Sequence, residues 1–192
     1  MSRLGPVPTD TMSEAQKTVF DGITGGPRAK GNPAEMLNEE GALRGPFNAM
    51  LYSPEMGNLL QQLGGKLRYE TIIPAPLREL AIITVGRQFE AEYEWWAHVN
   101  VGKKEGLSEE TIDAVKAGKV PADPAEATVY QFVSDLQSKN RVSDDLYKKA
   151  LDLLGEQGVT ELVFLAGYYA TISHILNAFE VGLPSGVEPA FE

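Results

Sequence analysis

A carboxylate and an imidazole occur at helical spacing near the middle of the chain. Glu94 and His98 lie in the stretch EYEWWAH; four residues apart, they would share one face of a helix. A carboxylate one turn away can orient an imidazole, fix its tautomer and raise its pKa, which suits a general acid or base near neutral pH. The alternative is an ordinary solvated pair worth roughly 0.2–0.5 kcal/mol. The spacing alone leaves both interpretations open.

A second carboxylate lies inside an aliphatic run. Glu79 is surrounded in sequence by Leu77, Leu80, Ala81, Ile82, Ile83 and Val85. This run is too continuous for a surface helix, so we expect the segment to be buried. Enclosure by aliphatic neighbours would remove water from Glu79 and raise the pKa of its carboxyl group.

The string RELAI, then E-Y-E-W-x-x-H, then a glycine and a short acidic helix, resembles the carboxymuconolactone decarboxylase family. That family shares its fold with the alkylhydroperoxidase D (AhpD) proteins, so the resemblance implies an all-α helical bundle of the AhpD-like type. AhpD proteins carry a glutamate, a C-x-x-C pair and a histidine, which by spacing correspond here to Glu79, Ala91, Glu94 and His98. The chain has no cysteine, which excludes dithiol peroxidase chemistry. The acid–base pair remains, and the predicted catalytic residues are His98, Glu79 and Glu94.

The resemblance implies a cofactor-free lyase that acts on a small carboxylated lactone or a related intermediate of aromatic-acid catabolism. Loss of carbon dioxide would leave delocalised negative charge, which the protein must stabilise and protonate. His98 could deliver the proton, with Glu79 as a second proton carrier. The alternative is a protein of the same fold with another small-molecule activity, as a hydrolase or a different lyase, or a non-catalytic subunit.

An anionic substrate requires cationic and polar partners. Arg44, Arg78 and Arg87 are the nearest basic residues in the sequence. In the last helix His174 and Asn177 are three residues apart and share a face; they either reach the site or belong to a polar network that holds helices or subunits in register. The predicted substrate-binding residues are Arg44, Arg87, Tyr93, His174 and Asn177.

Composition narrows the class of protein. The 192 residues are 43% hydrophobic and 23% charged, with a net charge of −10, so they are typical of a soluble domain and unsuited to nucleic acid or anionic membranes. No apolar run reaches the roughly 20 residues of a membrane span, and the N-terminus has no signal-peptide pattern, so we expect a cytoplasmic protein.

We expect no cofactor and no metal site, although carboxylates could complete a metal site with the two histidines. The resemblance, and helices that are hydrophobic nearly all round, imply a homo-oligomer: a dimer, trimer or hexamer.

Punctuating residues divide the chain into segments. We predict an extension over residues 1–45, a helical domain over 46–183 and a tail over 184–192. The helix that carries Glu79 begins at the Pro74–Pro76 segment. The family resemblance implies that it breaks from the next helix near residues 89–91, where no glycine or proline marks the break. Gly158 is predicted to end the penultimate helix, and the last helix to run from Glu161 to about Val181.

Overall fold

The computed structural model of the protein describes residues 2–30 and 32–191, and the fold is all-α, as predicted. The α-helices are α1 (Glu14–Thr24), α2 (Phe47–Met50), α3 (Pro54–Tyr69), α4 (Ala75–Gln88), α5 (Glu92–Glu105), α6 (Glu109–Lys116), α7 (Pro124–Lys139) and α8 (Asp144–Ala178). The chain forms two compact units, Met1–Glu70 with Ile175–Gly182, and Thr71–His174 with Leu183–Glu192. These units do not follow the predicted boundaries at residues 45 and 183, which divide the chain by composition and stay a prediction.

Helix α1 of the first unit begins at a capping motif that can be recognised in the sequence. The Ser13 hydroxyl accepts a hydrogen bond from the Gln16 backbone N–H, and the Gln16 side chain accepts one from the Ser13 backbone N–H. This reciprocal capping box satisfies donors that the first turn of α1 would otherwise leave unpaired. The glycine-rich segment that follows contains two short 3-10 helices, Pro27–Ala29 and Pro33–Met36, and an isolated bridge between Leu37 and Leu43.

The second unit is built around α4. Its aliphatic residues from Leu80 to Val85 are almost completely buried, which explains why the run lacks a polar face. The helix ends at Gln88, and Glu90 has a φ of 48° before α5 begins at Glu92. The predicted break near residues 89–91 is therefore confirmed.

The break inside α8 is not where the sequence predicted it. Gly155 has a φ of 69° and a ψ of 175° and interrupts the helical geometry, whereas Gly158 is helical. Positive φ is available to glycine at little steric cost, so either glycine could have held the kink. At Gly158 the absent side chain has another use, because a Cβ there would lie 2.7 Å from Leu154 Cβ. The end of α8 is also earlier than predicted, at Ala178 rather than Val181.

Helix α8 is long and apolar enough to cross a membrane by length and composition, although half of its most apolar window is buried within the protein. The expectation that no segment reaches this length was wrong by that measure. That expectation considered only unbroken runs of apolar residues. In α8 the apolar run is interrupted by small polar residues and by tyrosines, which leave the mean hydropathy of the helix high. A half-buried helix of this kind is also typical of a protein core.

A glycine allows α4 and α5 to approach one another closely. Gly102 lies on α5 one turn beyond His98, and a Cβ built on it would lie 2.8 Å from Leu107 Cδ1 and 3.5 Å from Glu79 Cβ. The α5 backbone is therefore in van der Waals range of the α4 position that carries Glu79, and a larger residue at position 102 would have to displace the Leu107 side chain.

Replacing Gly102 by valine should lower the free energy of unfolding by about 1–3 kcal/mol, the usual cost of overpacking a filled interior. Gly167→Val is the matched control, since Gly167 is helical and exposed with nothing within 4 Å of its Cβ position. Urea denaturation of both variants measures the difference. Equal stability of the two variants would show that the close approach at Gly102 is not a packing constraint.

Candidate active site

The packing of α5 against α4 brings Glu79 and His98 together, which are the two predicted catalytic residues furthest apart in sequence. Glu79 Oε2 and His98 Nδ1 lie 2.7 Å apart, across 19 residues of chain. The Glu79 side chain is completely buried, and His98 is 8% exposed. A charge-assisted contact this short, away from water, is far stronger than a solvated ion pair. It fixes which imidazole nitrogen faces the carboxylate.

That geometry defines how the imidazole could react. Because Nδ1 contacts Glu79, proton exchange with a substrate would use Nε2 on the opposite side of the ring. The carboxylate can hold one tautomer and balance the charge of an imidazolium ion. The arrangement is therefore suited to general acid–base catalysis.

An arginine completes the charge cluster. Arg78 precedes Glu79 on α4, and its Nε lies 3.5 Å from Glu79 Oε1. The Arg78 side chain is 13% exposed and that of His98 is 10% exposed, so both cationic partners of Glu79 keep a small solvent-accessible fraction. With His98 neutral the three side chains sum to zero charge, and with His98 protonated they sum to +1.

The structure corrects the predicted role of Glu94. The sequence paired this carboxylate with His98, but Glu94 Oε1 instead accepts a hydrogen bond of 3.1 Å from the Ser173 hydroxyl on α8. Glu94 Oε2 is buried and has no hydrogen-bond partner among the described residues. Burial raises the pKa of Glu94 well above its usual value, and the Ser173 hydrogen bond only partly opposes that effect. Glu94 therefore favours the neutral form, whereas the role of orienting His98 belongs to Glu79.

Helix α8 supports both positions on α5. The Tyr169 ring packs edge-on against the His98 imidazole, with 5.0 Å between centroids, while Ser173 reaches Glu94. The later residue of α5, His98, contacts the earlier residue of α8, Tyr169, and the earlier residue Glu94 contacts the later residue Ser173. Helices α5 and α8 are therefore antiparallel at this point, with one helical turn between the two contacts. Neither Tyr169 nor Ser173 was among the predicted site residues. The signal that could have found them is that their i, i+4 spacing matches that of Glu94 and His98.

The other candidates in the second unit have different surroundings. Arg87 is held by the Lys116 carbonyl oxygen at 2.8 Å, and its guanidinium lies 5.3 Å from the centre of the Phe191 ring. Tyr93 packs edge-on against Trp96. His174 is exposed and packs against Phe89. The roles of these three residues in substrate binding stay predictions.

Arg44 and Asn177 belong to the first unit. Arg44 is exposed, and its Nε donates a hydrogen bond to the Leu37 carbonyl oxygen, which ties together the loop on either side of the Leu37–Leu43 bridge. Asn177 is exposed in the last turn of α8. Substrate binding by these two residues likewise remains a prediction. As for metals, residues 2–30 and 32–191 contain no group of three histidine, aspartate or glutamate side chains that could hold an ion.

Comparison with known proteins identifies the segment that carries this site. Residues 54–134 match the sequence model of the carboxymuconolactone decarboxylase family. Over this segment, the chain is similar to the carboxymuconolactone decarboxylase family. Glu79, Glu94 and His98 all lie within the matched residues. No curated protein is significantly similar to the chain in sequence.

A solved structure supports the fold of the chain. The chain is similar to a protein of unknown function from Agrobacterium tumefaciens, for which a role in antioxidant defence as an AhpD protein has been suggested. The TM-score is 0.61 at 16% identity, over 73% of this chain and 97% of the other. This similarity confirms the AhpD-like helical fold.

The raised pKa of Glu94 predicts how stability depends on pH. Folding raises this pKa above the usual 4.5, so the folded chain binds the proton more tightly than the unfolded chain. Tighter proton binding stabilises the folded protein fully at pH values below the pKa that Glu94 has in the unfolded chain. This stabilisation is lost as the pH rises through the higher pKa of Glu94 in the folded chain. Glutamine is neutral throughout, so Glu94→Gln should melt at a higher temperature than the parent protein above that window.

Thermal melts from about pH 4 to about pH 9 test this expectation, because they span the titration of a carboxyl group with a raised pKa. Glu110→Gln, at an exposed position on α6, controls for the change in net charge. If Glu94→Gln and Glu110→Gln have the same pH profile, Glu94 is ionised in the folded protein and the assignment is wrong.

Proposed function

We propose that the protein is a cofactor-free lyase that removes carbon dioxide from a small carboxylated lactone or a related intermediate of aromatic-acid catabolism. The observation that carries this proposal is the buried 2.7 Å contact between Glu79 and His98, within the segment that matches the decarboxylase family. The family supplies the reaction class, and the geometry supplies residues able to perform its proton transfer.

The reaction needs one bond broken and one proton delivered. The bond between the carboxylate carbon and the ring carbon breaks, carbon dioxide leaves, and the electron pair delocalises into the unsaturated lactone. Protonated His98 then donates its Nε2 proton to the resulting dienolate carbon, and solvent restores the proton for the next turnover. Glu79 holds Nδ1 throughout and stabilises the imidazolium form before the transfer.

The surroundings of the pair favour this chemistry. Charges act more strongly in a buried site than in water, so a fixed imidazolium and a guanidinium can stabilise developing negative charge without reorganisation of solvent. The cluster of Arg78, Glu79 and His98 is locally positive when His98 is protonated, although the chain carries a net charge of −10. An anionic substrate is therefore attracted to the site itself rather than to the surface in general.

Two other classes of activity are the alternatives to the proposed decarboxylation. Dithiol peroxidase chemistry needs two thiols, and the chain has none; buried Ala91 and neutral Glu94 stand at the corresponding positions. A hydrolase or another lyase could use the same acid–base pair, so the choice between them depends on turnover of defined substrates. Carboxymuconolactone is the first substrate to test, followed by related lactones without the carboxylate.

His98→Asn and Glu79→Gln are the variants that test the pair. Asparagine keeps a nitrogen near the position of Nδ1, and therefore a donor for Glu79, but removes Nε2. We expect carboxymuconolactone turnover to fall by roughly 10²–10⁴-fold in His98→Asn, the usual contribution of general acid–base catalysis. Steady-state rates across pH, with a thermal melt of each variant, provide the measurement.

Variants of the second histidine distinguish the alternatives. If His98→Asn turned over substrate at the parent rate while His174→Gln lost activity, the chemistry would belong to α8 and the proposal would fail. If the parent released no carbon dioxide from any carboxylated lactone but hydrolysed one, the Glu79–His98 pair would remain the candidate catalytic pair. The reaction class would then be hydrolysis and not decarboxylation.

We also propose that the protein is a homo-oligomer. On α3, Met56, Leu59 and Leu63 are spaced along one face and are 60%, 61% and 46% exposed. An apolar stripe of this kind is a typical contact surface between copies of a chain. Leu59→Lys should therefore weaken association, while Gln62→Lys on the same helix should not. Light scattering tests this proposal, and a stable parent species at the monomer mass of 20.9 kDa would refute it.

A further inference from the structure

The guanidinium of Arg78 has unused hydrogen-bonding capacity. Its Nε is buried and makes no hydrogen bond, and within the described residues the side chain's recorded interaction is the 3.5 Å ion pair with Glu79 Oε1. A guanidinium carries five N–H donors in a planar fork. The side chain is 13% exposed, so part of it is accessible to solvent beside the Glu79–His98 pair.

The Nε donor is buried beside Glu79 Oε1, so a ligand would have to use the terminal N–H donors of the guanidinium. Lysine would place a similar charge beside Glu79 without a rigid fork, so the charge alone does not require arginine here. A planar fork is the group that matches the two oxygens of a carboxylate.

The other arginine of α4 is already occupied by the protein. Arg87 donates to the Lys116 carbonyl oxygen, lies 3.7 Å from Glu90 and stacks over Phe191. Its guanidinium would have to exchange these contacts for a ligand. Arg78 would lose no hydrogen bond by binding one.

Charge balance favours an anion at the same place. The Glu79 carboxylate lies between two cationic partners, Arg78 and protonated His98, and one further negative charge would neutralise the cluster. We propose that Arg78 binds a carboxylate group of the substrate through its guanidinium fork and so positions the substrate beside His98. This inference rests on the proposed function for the nature of the substrate, and it assigns the anion-binding role to Arg78 rather than to Arg44 or Arg87.

Binding can be measured without turnover. Benzoate is the probe, and benzamide, which has the same shape without the charge, is its control. The chain has two histidines, so a His174→Asn background leaves the imidazole signals of His98 alone in an NMR titration. Benzoate should shift these signals saturably, whereas benzamide at the same concentrations should not.

Substitutions then locate the anion. Arg78→Met should weaken benzoate binding by roughly 10- to 100-fold, the range expected for a charge-assisted hydrogen-bonded pair. Arg141→Met, at an exposed position on the segment between α7 and α8, makes the same change in net charge and should leave the affinity unchanged. Arg78→Lys keeps the ion pair with Glu79 but lacks the fork; it should fold as the parent does and still lose affinity.

Several results would overturn the assignment. These are equal affinity in the parent and in Arg78→Lys, a loss in Arg87→Met as large as that in the Arg78 variants, or no saturable shift with benzoate in the parent. Failure of the proposed function gives a different pattern, in which benzoate binding still depends on Arg78 but His98→Asn keeps full turnover.

Discussion

The candidate site depends on the contact between a fully buried carboxylate and an imidazole on the next helix. Removing Glu79 from water costs several kcal/mol unless its charge is paired, and in this chain His98 and Arg78 provide the pairing. The pairing requires α4 and α5 to lie close together, and Gly102 on α5 lies within van der Waals range of Glu79. Packing and chemistry are therefore coupled, because a residue that separated the helices would also leave a buried charge without its partner.

Two glutamates a short distance apart in sequence acquire different properties from their surroundings. Glu79 has cationic partners on both sides and is suited to remaining ionised. Glu94 has one hydroxyl partner in Ser173 and a raised pKa caused mainly by burial. Carboxyl groups held in opposite states by their environments are a common basis for dividing tasks within an active site. Here Glu79 contacts His98, and Glu94, with its raised pKa, joins α5 to α8 through Ser173.

Sequence analysis could predict the individual residues better than their partners. Burial of Glu79 followed from its aliphatic neighbours, and the break after α4 followed from the family resemblance. The partner of His98 was assigned wrongly, because the i, i+4 rule describes one helix and gives no information about its neighbour. Ser173 and Tyr169 were not predicted as site residues for the same reason, since their spacing becomes informative only when α8 is known to lie antiparallel to α5. The kink lies at Gly155 rather than Gly158, and the sequence could not distinguish the two because glycine adopts positive φ readily at either position.

The central claim is that Glu79, and not Glu94, controls the protonation of His98. The most direct test is a pH titration of the His98 imidazole ¹⁵N signals in the His174→Asn background, compared with the same protein carrying Glu79→Gln or Glu94→Gln. The account predicts that the folded parent holds a proton at Nδ1 against Glu79, that Glu79→Gln changes both the tautomer balance and the titration, and that Glu94→Gln changes neither appreciably. Dependence of the His98 signals on Glu94 with no response to Glu79→Gln would contradict it.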